Sequence, residues 1–66
     1  MKIYALYHDE SSKETVVCIS ENAEEIKKNL SKMCKDQAFP HLEIWENGNV
    51  INNVYGNDTL KLIAKQ

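Results

Sequence analysis

Hydrophobic positions along this chain switch between the two-residue period of strands and the three-to-four-residue period of helices, and the switches mark out six elements. In the segment Lys2–His8, Ile3, Ala5 and Tyr7 occupy one parity and Tyr4 and Leu6 the other. A polar stretch from Asp9 to Glu14 follows, and then Thr15-Val16-Val17-Cys18-Ile19. This pattern predicts two strands joined by a turn-forming loop, and so short a connection allows only antiparallel pairing.

Ala23, Ile26, Leu30, Met33 and Cys34 then recur at helical steps and form one apolar stripe. Ser20 or Asn22 can cap this helix, with Glu25 three residues beyond Asn22, and Glu21, Glu24 and Glu25 suit the positive end of the helix dipole. Lys32 and Lys35 suit the other end, so the helix is expected to reach about Asp36 or Gln37. Glu24 and Lys28 have the spacing of a favourable i,i+4 pair, and Pro40 keeps the helix out of the next strand.

The segment from His41 to Tyr55 holds Asn47-Gly48 between two strand-like runs, the strongest short-range hairpin signal. With Asn47 and Gly48 at the centre of a type I′ turn, the expected partners are Glu46 and Asn49, Trp45 and Val50, Ile44 and Ile51, Glu43 and Asn52, and Leu42 and Asn53. Leu42, Ile44 and Ile51 then share one face, and Trp45, Val50 and Val54 the other, so both faces require cover. Gly56-Asn57-Asp58 is a break and a cap, and Leu60, Ile63 and Ala64 predict a short terminal helix; Leu60, Leu62 and Ala64 also fit a strand.

Strand, strand, helix, strand, strand, helix with a right-handed crossover gives an α+β fold: a four-stranded antiparallel sheet of ββαββα order with strand order 2-1-3-4. The main helix lies on one face of a single small domain over residues 1–66. The central strands are then the first and third, which are apolar on both parities. A terminal helix of about eight residues, about 12 Å long, is too short to roof the second face, which leaves part of it for a partner or a second copy. Tyr4, Leu6, Trp45, Val50, Val54 and Tyr55 are the expected interface residues, because aromatic and apolar side chains on such a face dominate protein contacts.

A chain of 66 residues buries little core, which gives a partner surface added value. Its hydrophobic fraction of 42% and charged fraction of 27% are those of a folded globular chain. No apolar run has the length of a membrane span, and the early His8-Asp9-Glu10 interrupts any secretory signal, so a cytoplasmic location is expected and no membrane role. Cys18 and Cys34 are expected as reduced, mostly buried packing residues.

The eight basic residues are all lysine, and five asparagines fall between Asn47 and Asn57. Such bias follows from an AT-rich coding sequence, and with the small size it fits a bacterial or phage regulatory protein. Lack of arginine removes bidentate recognition of phosphate or guanine, and a net charge of -2 disfavours nucleic acid. Tyr4, Tyr7, Trp45 and Tyr55 leave single-stranded nucleic acid, stacked on the sheet, as the alternative ligand.

No catalytic or metal-binding pattern emerges. His8, His41, Cys18 and Cys34 lack the close ligand pairs of zinc sites, Cys34 lies at the wrong helix end for a thiolate, and Cys18 is the better placed thiol. Two glycines form neither a phosphate loop nor a nucleophile elbow. The expectation is a non-catalytic, cofactor-free interaction or regulatory module, self-associating as a homodimer through its aromatic and apolar sheet face.

Overall fold

A computed structural model describes residues 1–66 as β1 (Lys2–Glu10), β2 (Lys13–Ser20), α1 (Ala23–Lys35), β3 (Pro40–Glu46), β4 (Asn49–Tyr55) and α2 (Asn57–Ala64). The four strands form one antiparallel sheet in the order β2-β1-β3-β4, as the sequence pattern predicts. Asn47 and Gly48 both have positive φ, 52° and 82°, which is the type I′ geometry.

α1 starts at Asn22, whose Oδ1 accepts a hydrogen bond from the Glu24 amide at 2.9 Å. At its other end Gln37 takes a left-handed conformation, and the Ala38 and Gln37 amides donate to the carbonyls of Met33 and Cys34. This is a Schellman closure with glutamine in the usual glycine position. The surface ion pair on the first turns joins Glu24 to Lys27 at 3.2 Å, not to Lys28.

Both helices pack on the same face of the sheet. Tyr4, Leu6, Leu42 and Ile44 from the central strands meet Ile26, Leu30 and Met33 of α1 and Ile63 of α2 in one cluster. Each fully buried aliphatic side chain there contributes roughly 1.5–3 kcal/mol by leaving water. Gly56 turns the chain back toward this face with φ 61° and ψ −135°, a conformation open essentially to glycine alone. Its amide donates to the Pro40 carbonyl at 2.9 Å, and a Cβ there would stand 3.3 Å from the Phe39 ring. The hydroxyl of Thr59, fully buried, donates to the Gly56 carbonyl at 2.7 Å.

Several expectations are corrected here. Tyr4 and Leu6, expected on the uncovered sheet face, lie on the other one, 6% and 0% exposed beneath the helices. Val54 also faces the helices, partly buried against the core. Its face changes because β4 slips by one residue after Trp45–Val50, so Ile44 pairs with Asn52, Leu42 with Val54 and His41 with Tyr55. Ile51 is the extra residue of this bulge and is exposed. Cys18 is partly buried against the core, but Cys34 is exposed, at the edge of the α1 stripe.

Candidate functional site

With both helices on one side, the other side of the sheet has no cover within the chain. Strand alternation and register place three rows across this open face. Ile3, Trp45 and Val50 form one; Ile19, Ala5, Glu43 and Asn53 the next; Val16, Tyr7, His41 and Tyr55 the third.

His41 is the centre of the third row. Only 4% of it is exposed, because the imidazole is stacked between Tyr7 and Tyr55 at centroid distances of 5.2 and 4.2 Å. Its Nδ1 is hydrogen-bonded to Glu14 Oε2 and its Nε2 to Asn53 Oδ1. Two acceptors on two ring nitrogens suit the doubly protonated imidazolium. Burial alone would lower the pKa of His41, but the hydrogen bonds to Asn53 and Glu14 and the charges of Glu14 and Glu43 outweigh it and raise the pKa above the usual value.

A second network adjoins the first. Tyr7 Oη donates to Glu43 Oε1 at 2.9 Å, and Trp45 Nε1 donates to the same oxygen at 3.2 Å. Burial, the hydrogen bond to Glu43 and the charges of Glu43 and Glu14 raise the Tyr7 pKa above its ordinary 10, so the phenol remains a donor.

Two bulges assemble this site. In β2, Leu6 pairs with Cys18 but Tyr7 with Val16, so one extra residue sits between them. Without it Glu14 would oppose Glu10 on the helix side; with it Glu14 opposes Asp9 and reaches His41. The β4 bulge likewise carries Asn53 and Tyr55 from the helix parity to the open one. Each edge strand thus re-aims its outer half by one residue.

Chemically the arrangement holds more than it reacts. Both nitrogens of His41 are engaged and its faces are covered, so the ring has no free position for proton transfer to a substrate. No group of three or more histidine, cysteine, aspartate or glutamate side chains is placed to hold a metal ion. No helix is long and apolar enough to cross a membrane.

Of the six expected interface residues, Trp45, Val50 and Tyr55 lie on the open face, and Tyr4, Leu6 and Val54 do not. Sequence reasoning missed His41 as a centre and Glu14, Asn53, Tyr7 and Glu43 as its neighbours. Glu43 was legible by parity with Trp45; Tyr7 joins them only through the β1–β3 register, and Glu14 and Asn53 only through the bulges. Comparison with protein-family models, curated proteins and solved structures finds no match to this chain.

Proposed function

We propose that this protein is a non-catalytic interaction module that binds another protein through the open face of its sheet. The observation that carries this reading is the placement of both helices on one side. It leaves Ile3, Ile19 and Val50 exposed on the same face as Trp45, with Tyr55 exposed beyond the Glu43–Asn53 row. Surfaces of this kind, with aromatic anchors amid apolar neighbours, are used for docking. The Tyr7–His41–Tyr55 row makes the surface rigid, which lowers the entropy cost of binding.

A second copy of the chain is one form the partner can take. Face-to-face pairing would set Asp9, Glu14 and Glu43 against their own kind, which favours a different chain. Tyr7, Trp45 and Tyr55 share one face, as a platform for stacked bases requires. The carboxylates beside them, with Lys27, Lys28, Lys32 and Lys35 on α1, work against a nucleic-acid strand there.

The test is a photocrosslinking side chain placed at Val50 or Ile19 and, for contrast, at Lys28 on the outside of α1, in the cells that make the protein. A discrete adduct from the open-face positions and none from Lys28 is expected, with twice the chain mass if the partner is a second copy. The same adduct pattern from both sides, or none from either, overturns the reading.

A further inference from the structure

The open face is not evenly apolar; it combines a hollow with an excess of negative charge. Ala5 sits near its middle, opposite Ile19 on one side and Glu43 on the other. So small a side chain between larger ones leaves a hollow of about 270 Å³, walled by Ile3, Tyr7, Ile19 and Trp45 and ended by Gly48 of the hairpin turn. Ala5 itself is only 4% exposed, as the floor of that hollow. The volume has room for one large apolar side chain and lies just below the usual range of about 300–1,000 Å³ for ligand pockets.

Beside the hollow stands Glu43. Its Oε1 takes both protein donors, from Tyr7 and Trp45, and its Oε2 takes none. The two rings are thereby held next to an oxygen that can still accept a charged donor, an arrangement that also lets a cation lie against an aromatic face. By register Asp9 and Glu14 share this face, and the one cationic partner among them, His41, is committed to Glu14. Six of the eight lysines, Lys27, Lys28, Lys32, Lys35, Lys61 and Lys65, lie on or beside the helices on the far side of the sheet.

We infer that the partner is a protein segment carrying a lysine or arginine next to a large apolar side chain, with the apolar group in the hollow over Ala5 and the cation on Glu43. This deepens the interaction reading above and rests on it. Charge complementarity selects the partner: an acidic or uncharged segment would bury the free oxygen of Glu43 with no charged donor to offset its desolvation.

The experiment is an amide NMR titration of the full chain with the blocked peptide Ser-Leu-Arg-Leu-Ser and with the same peptide carrying citrulline, the uncharged isostere of arginine. The arginine peptide is expected to shift Ile3, Ala5 and Trp45 and to bind about tenfold more tightly at low salt than the citrulline peptide. Glu43→Gln should erase that difference, and Ala5→Leu, which fills the hollow, should weaken both peptides by a similar factor. Equal affinity of the two peptides at the open face overturns the cationic partner and leaves the interaction reading standing. Shifts confined to the helices, or no shifts with either peptide, also overturn the inference, and the crosslinking contrast then decides the reading separately.

Discussion

The two faces of this sheet are written on alternate residues of the same strands, yet they are built by different physics. On the helix face, Leu6, Leu42 and Ile44 meet Ile26, Leu30 and Ile63, an aliphatic core whose stability follows the area removed from water. On the open face, Tyr7, His41, Glu43 and Tyr55 are held by stacking and directed hydrogen bonds, with water on the outer side. The first tolerates exchange among shapes of similar volume. The second depends on which atom meets which, because a half-satisfied polar network is worse than none.

The largest expected effect breaks the helix face. Leu30 is 1% exposed between α1 and the sheet, and Leu30→Ala should cost about 2–5 kcal/mol by lost transfer and the cavity left behind. A chain of this size has a total stability of roughly 3–10 kcal/mol, so urea denaturation should show the variant close to unfolding.

A smaller loss is expected when the open-face network is broken. His41→Leu keeps an apolar body between the two tyrosines but leaves Glu14 and Asn53 without their partner, at a cost of about 1–3 kcal/mol. The cost should depend on pH. Because the pKa of His41 is raised in the folded state, the folded chain holds its proton more tightly. That contribution is complete below the unfolded value of about 6.5 and is lost as pH rises through the folded-state pKa. Urea midpoints between about pH 6 and pH 9 should therefore fall for the wild type and stay flatter for His41→Leu, with Glu14→Gln in between. A wild-type midpoint that rises across this range would reverse the assigned sign. The raised pKa of Tyr7 acts in the same sense only at higher pH, outside the window.

The smallest effect sharpens the contrast. Val50, 44% exposed at the edge of the open face, should tolerate Val50→Thr with a change in stability within about 0.5 kcal/mol. A thermal melt that moves far outside this would mean that the face carries more of the fold than its exposure suggests.

Much of this fold was legible because its signals are local. Asn47-Gly48 specified its turn through the positive φ both positions need, Asn22 capped α1, and the apolar stripe from Ala23 to Met33 bounded it. The site was less legible. Trp45 and Val50 lie next to the turn, before the bulge, and kept the predicted face; Val54 lies beyond it and did not. Tyr4 and Leu6 share a strand with Ile3 and Ala5, which is apolar on both parities, so the pattern left open which set the helices cover.

The sequence by itself determined the order of elements, the hairpins and the strand order 2-1-3-4, because period, turn residues and crossover handedness act over short spans of chain. Only the tertiary structure decided the side on which α2 lies and the register of the two edge strands. Both choices turn on contacts between distant segments: Ile63 completes the cluster begun by Ile26 and Leu30, and one extra residue in each edge strand brings Glu14 and Asn53 to His41. A shift of one residue reverses every side chain beyond it, and no local propensity distinguishes the two registers; what does is the packing and hydrogen bonding that each one completes.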